Sequence, residues 1–212
     1  AHNPKVIGSS PVPATKKKVV FRQPFCILKR YVAMMFSKLG LPEELVNAVE
    51  KEGYERPYPI QIEAIPAITS GKDLLGIAKT GSGKTASFVL PILSNIRKRK
   101  ELKNRHVNVL VVVPTRELAI QIETVFKTFA RALPEKIKTM AVYGGVSINP
   151  QMIALQNVNV LIATPGRLIE LLEAKAVYLS QVETLVLDEA DKLLNLGFKN
   201  EMDAIIRRLP TK

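Results

Sequence analysis

Residues 73–85 read Asp73-Leu74-Leu75-Gly76-Ile77-Ala78-Lys79-Thr80-Gly81-Ser82-Gly83-Lys84-Thr85, and this stretch decides the fold. An apolar run of strand length, Asp73 to Ile77, leads into a glycine-rich turn, and a helical pattern follows the turn. Glycines let the backbone wrap so that successive N–H groups point inward at an anion, and the following helix adds its positive N-terminal end. Lys84 supplies a point charge for outer phosphates, and the Thr85 hydroxyl suits a Mg²⁺ ligand. Ala78, Lys79, Thr80, Gly81, Ser82, Gly83, Lys84 and Thr85 therefore read as a phosphate-binding P-loop, with Ala78 where the general pattern has glycine. Pro91 interrupts the helix after it, a kink that packing tolerates.

Outward from this turn, short apolar runs alternate with helical patterns. Strands are expected at Val109 to Val113, Thr139 to Tyr143, Val160 to Ala163 and Thr184 to Leu187. Helices are expected from Pro42-Glu43-Glu44 and over Ile60 to Ile68, the latter opened by Pro59. Another follows Val113, with Leu118, Ile122, Val125, Phe126, Phe129 and Leu133 along one face, and further helices follow the last two strands. Strands apolar on both faces and alternating with helices mean an α/β fold, a parallel sheet with helices on both faces. Such sheets bind ligands beyond the carboxyl ends of their strands. One such end, Leu185-Val186-Leu187-Asp188-Glu189, supplies what a P-loop lacks. Asp188 would hold Mg²⁺ through its water shell, and Glu189 would polarise a water attacking the γ-phosphate.

The chain has 212 residues, the length of one domain or one domain with a tail, and its 47% hydrophobic residues suffice for a packed core. Its apolar runs are far shorter than the roughly 20 residues a membrane span needs. Cys26 alone excludes a disulfide framework or a cysteine-cluster metal site and suits a reducing, cytoplasmic setting; two histidines, His2 and His106, argue against a histidine-rich metal site. A formal charge of +12 points to a polyanionic partner, but it is unevenly placed: residues 1–42 hold eight basic residues and no acidic one. Residues 1–34 read as a basic, unstructured extension, a solvated tail in the first instance, with an RNA-binding or organelle- or nucleus-targeting arm as the alternatives. Residues 35–212 read as the folded domain.

At Asp188-Glu189-Ala190-Asp191 the sequence resembles the DEAD-box RNA helicases, over all of the chain from Phe36 onward. Pro114-Thr115-Arg116-Glu117-Leu118-Ala119, Gly144-Gly145 and Thr164-Pro165-Gly166-Arg167 resemble that family's RNA-contacting motifs, and Gly53 to Gln61 its adenine-recognition motif, with Phe36 lying 17 residues before Gly53. The resemblance implies a RecA-like P-loop NTPase domain using ATP and Mg²⁺. Its implied adenine site is Phe36 stacking on the ring, Arg56 near the base and Gln61 pairing with the N6 and N7 edge. RNA would be held by its backbone, without base readout, by Pro114, Thr115, Arg116, Gly145, Thr164, Gly166 and Arg167. Asp191, rather than histidine, argues against the related DEAH branch and would couple this domain to a second RecA-like domain. The implied activity is RNA-dependent ATP hydrolysis with local duplex unwinding; the alternative is an ATP-gated RNA clamp or assembly platform in which unwinding is incidental. Two departures stand out. Tyr58 occupies a position where the family usually has Ser or Thr, and the sequence stops at Lys212, before the Ser-Ala-Thr motif and the second domain with its arginine fingers.

Overall fold

A computed structural model describes residues 35–79, 81–96 and 104–210. The basic extension, Thr80 and residues 97–103, with the basic run Arg97-Lys98-Arg99-Lys100 and Lys103, lie outside the described residues. The elements in chain order are α1 (Glu43–Lys51), α2 (Pro59–Thr69), α3 (Lys84–Ile96), β1 (Val109–Val112), α4 (Arg116–Ala130), β2 (Thr139–Val142), α5 (Ile148–Ala154), β3 (Val160–Ala163), α6 (Pro165–Glu173), β4 (Thr184–Leu187), α7 (Ala190–Asn195) and α8 (Lys199–Ile206).

The four strands form one wholly parallel sheet in the order β2-β3-β1-β4, with Val109 opposite Val160 and Thr184, and Thr139 opposite Val160. Alternate residues face opposite cores, as a pleat requires. Val109, Val111, Val160 and Ile162 pack with α1 to α4, including Leu45, Leu90, Ile122 and Phe126. Leu110, Val112, Leu161 and Ala163 pack on the other side with Leu168, Leu171, Met202 and Ile205 of α6 and α8. The expected sheet covered on both faces is therefore present. Of the face read for α4, Ile122, Phe126 and Phe129 are buried in the helix and Leu133 just beyond it, while Leu118 and Val125 are only partly buried.

One expected strand is absent. Asp73–Ile77 forms no ladder; Leu75 is 86% and Ile77 89% exposed. A groove of about 460 Å³ lies between this segment and β4, lined by Asp73, Leu74 and Gly76 on one side and Thr184 to Leu187 on the other. A strand exists only through its inter-strand hydrogen bonds. Without them an apolar run has strand composition but not strand structure. α5 and α8, neither expected from the sequence, lie beyond β2 and at the end of the described chain.

Candidate active site

The turn at Gly81-Ser82-Gly83 leads directly into α3 at Lys84, and both glycines hold positive φ (78° and 82°), a region costly for residues with a Cβ. Ser82 Oγ is buried here with no hydrogen-bond partner. The turn opens on a cavity of about 710 Å³. Gly81 and Gly83 to Ala86 form one wall, Glu52 to Arg56 with Tyr58 a second, and Leu118, Gln121 and Val125 of α4 a third; Asp188 and Glu189 close it. The two partly buried apolar positions on α4, Leu118 and Val125, thus pack against the core and also form cavity wall.

Asp188 leaves the end of β4 with its N–H donating to the Val112 carbonyl at 3.1 Å. Burial pushes its carboxyl above the usual carboxylate range, opposed by the Glu189 N–H that it accepts at 3.0 Å and by the Lys84 charge. Glu189 sits in the left-handed region (φ 53°, ψ 46°) as the N-cap of α7, a conformation that costs a non-glycine residue on the order of 1 kcal/mol and is met at functional turns. Its carboxylate pairs with Lys192 at 2.9 Å.

The base end of the cavity departs from expectation. Phe36 is 0% exposed and meets Tyr54 edge-on, with ring centroids 6.3 Å apart, so it has no face open to stack on a base. Core packing has claimed the ring, and Tyr54, not Phe36, lines the cavity. Gln61 is also 0% exposed. Its amide oxygen accepts the Tyr58 N–H at 2.9 Å and its amide nitrogen donates to the Gly83 carbonyl at 3.1 Å, tying the start of α2 to the phosphate turn. Arg56 is exposed on the cavity wall.

The remaining candidates lie at the ends of the three other strands, side by side because the sheet is parallel. Thr115 caps α4, accepting the Leu118 N–H at 3.3 Å, beside buried Pro114. Arg116 is exposed, with its guanidinium 4.8 Å from the Tyr143 ring centre. Gly145 is exposed at φ 78°, with open space where a Cβ would stand, as there is at Gly166. Thr164 occupies the N-cap position of α6 but makes no side-chain capping bond. Arg167 differs from the others. It is only 6% exposed, donating from Nε to Glu170 at 2.8 Å and from a terminal nitrogen to the Val146 carbonyl at 2.7 Å, so its bonds brace the Gly144-Gly145 turn. Asp191 is exposed in the first turn of α7.

The sequence profile of the DEAD/DEAH box helicase family matches residues 58–212. The chain belongs to this family. Relatives of this DEAD/DEAH box chain include DEAD-box ATP-dependent RNA helicase 24 of Oryza sativa subsp. japonica, 47% identical over 82% of this chain and 23% of the relative. DEAD-box ATP-dependent RNA helicase CshA of Streptococcus pneumoniae is 43% identical over 84% of this chain and 33% of the relative. The crystal structure of a DEAD box protein from the hyperthermophile Methanococcus jannaschii superposes with a TM-score of 0.74 at 34% identity, covering 82% of this chain and 46% of that one. The chain thus spans about a quarter to a third of the length of these two curated relatives.

Sequence reasoning missed several residues that shape the DEAD/DEAH box site. Lys192 stays exposed but pairs with Glu189, a contact only the fold creates. Gln151 accepts the Tyr143 N–H and donates to the Tyr143 carbonyl (3.1 and 3.2 Å), holding the strand end before Gly144 as a partner strand would. Gln121 reaches the cavity from α4, and its three-residue spacing from Leu118 was the available signal. Arg105 donates to the Ala176 carbonyl at 3.2 Å, a bond that serves packing.

Proposed function

We propose that this chain is the N-terminal, ATP-binding domain of an ATP-dependent RNA helicase, coupling ATP binding and hydrolysis to RNA binding and local duplex unwinding. One juxtaposition carries the reading: a glycine turn opening α3 at Lys84 faces Asp188 and Glu189 across a single cavity, with a base-recognition segment tied to that turn through Gln61. The turn's backbone N–H groups and the positive end of α3 would hold the phosphates, and Lys84 would neutralise the outer ones.

A divalent cation fits the donors present. Thr85 and Asp188 line the same cavity, burial leaves the Asp188 carboxyl short of stabilising charge, and no cluster of three metal-binding side chains exists among the described residues. One hydroxyl and one carboxylate would suit Mg²⁺, which keeps waters and phosphate oxygens as most of its ligands. Bound there, Mg²⁺ would supply charge neutralisation at the phosphates. Glu189 would orient the attacking water, with its ion pair to Lys192 fixing where the carboxylate sits.

RNA would run across the ends of β1, β2 and β3, held at its backbone by Thr115, Arg116, Gly145, Thr164 and Gly166, while Arg167 braces the turn between. The second RecA-like domain, expected from the family resemblance, would close on both ligands and couple through Asp191. By this reading the 212-residue chain binds adenine nucleotide weakly and hydrolyses little ATP with RNA present; robust unwinding by it would refute the division of labour. In a version carrying both domains, Glu189→Gln should keep ATP and RNA binding and lose turnover by a factor of about 10² or more, as removal of a positioned acid–base group does. Steady-state hydrolysis at the wild-type rate would overturn the assignment. Stimulation by RNA against DNA tests the nucleic acid.

A further inference from the structure

Another cavity lies at the opposite end of the sheet, where α4 stops and β2 begins. It measures about 490 Å³ and is lined by four cations, Lys127, Arg131, Lys136 and Lys138, and by one carboxylate, Glu135. Thr139 is its recessed member, only 7% exposed, with a buried hydroxyl that has no hydrogen-bond partner. We propose that this cavity is a second anion site, which takes a terminal phosphate group on Arg131, Lys136 and the Thr139 hydroxyl. It is separate from the ligands proposed above: α4 runs from Arg116 to this cavity over fifteen residues, or about 22 Å.

Buried hydroxyls are seldom left unpaired, because the solvation they lose is not recovered. An orphan hydroxyl in a cationic cavity is accounted for by an anion that accepts its hydrogen. The cations are also available. Lys127 pairs with Glu123 at 2.8 Å, but Arg131 and Lys136 are exposed and form no ion pair among the described residues. Lys138 Nζ donates to the Ala154 and Gln156 carbonyls (2.8 and 2.7 Å), which fixes its charge without cancelling it. The backbone between α4 and β2 is held before any ligand arrives. Leu133 packs into the core, the Lys138 N–H donates to Asn159 Oδ1 at 2.9 Å, and the Lys138 carbonyl accepts the Asn159 N–H at 2.8 Å. Binding therefore has little chain to order. Glu135 and the carbonyl end of α4 oppose an anion, one full and one partial charge against four cations. That balance selects the ligand. A phosphate monoester carries close to two charges and a phosphodiester one. Only a terminal phosphate can lower an oxygen onto a recessed hydroxyl without bringing a sugar on either side. Arg131 would supply paired N–H donors and Lys136 a point charge.

The test uses the ¹⁵N-labelled 212-residue chain at low ionic strength, followed by amide NMR shifts. The probes are inorganic phosphate, glycerol 3-phosphate and a short RNA without terminal phosphates. Both phosphates should give saturable shifts at Arg131, Lys136 and Thr139, and their order of affinity tells whether the free ion or an ester is preferred. Lys84→Ala should leave these shifts in place; their loss would trace them to the nucleotide cavity and overturn the proposal. Thr139→Val keeps the side-chain shape and should weaken phosphate about tenfold, near the effect of a lost hydrogen bond to a charged group. Thr139→Ser should restore it. Arg131→Gln alters an exposed residue and should give a similar loss, so the question stays decidable if Thr139→Val misfolds. Absence of saturable shifts at these amides would overturn the site, as would unchanged binding in Arg131→Gln. RNA without terminal phosphates shifting the same amides as strongly as phosphate would overturn the choice of a terminal group.

Discussion

Gly83 is where the glycine turn and the segment opening α2 meet. A Cβ there would stand 2.5 Å from the Gln61 amide nitrogen as well as against Tyr58, on a backbone at φ 82°. Gly83→Ala should therefore cost more than about 1 kcal/mol of stability, measured by urea unfolding, and sever the bond from Gln61. The Asp188 carboxyl makes a pH prediction. Its folded pKa is raised, so ionisation is penalised in the native chain; the penalty is absent below the unfolded value near 4 and present in full above the folded one. Without divalent metal, Asp188→Asn should then raise Tm at neutral pH, with the gain vanishing in acid. A gain independent of pH would assign the effect to packing. Residue identity was readable at these positions, because glycines flanking a lysine and paired acids after an apolar strand have few other uses. Burial was not. Spacing placed Phe36 and Gln61 in the right segment, but which side of a ring or amide faces the core depends on contacts made across the fold.

Among the elements, the strands of the sheet interior were legible because runs such as Val109 to Val112 are apolar on both faces and pair on both sides. Asp73–Ile77 is also largely apolar but has no partner, so periodicity alone misjudged it. α5, with the sequence Ile-Asn-Pro-Gln-Met-Ile-Ala, and α8, anchored mainly by Met202 and Ile205, are short and carry too few apolar repeats to announce themselves. Hydrogen exchange should separate the two kinds of strand: amides of Val111 and Ile162 among the slowest in the chain, those of Leu75 to Ile77 exchanging near the rate of an open peptide. Slow exchange at Leu75 to Ile77 in the free chain would contradict the unpaired segment. Ile162→Ala, which empties a fully buried site at the centre of the sheet, should cost about 2–5 kcal/mol by the same urea measurement.

For the molecule as a whole, strand order does the sorting. β2, β3 and β1 bring the proposed RNA turns together, and β4, at the sheet's edge, carries the carboxylates to the proposed nucleotide cavity, so the two proposed sites lie at one end of one sheet. The +12 charge raised the question of a polyanion, yet outside residues 1–42 the excess is only four, and the nucleic-acid reading depends on placed groups. Binding of single-stranded RNA should accordingly be nearly indifferent to base sequence and weaken with salt, with a log–log slope of about −0.7 per phosphate neutralised. The open segment has a further consequence for handling the protein. Lys72 and Lys79 are exposed on either side of a stretch with no ladder to protect it, and trypsin needs just such an extended, accessible backbone. A nick after Lys79 would part the chain immediately before its glycine turn, while α2 and α3, one on each side of the break, stay packed in one core that includes Ile65 and Leu90. The clipped protein would migrate as one particle in solution and as two bands on a denaturing gel, its core intact and its phosphate turn cut loose at one end.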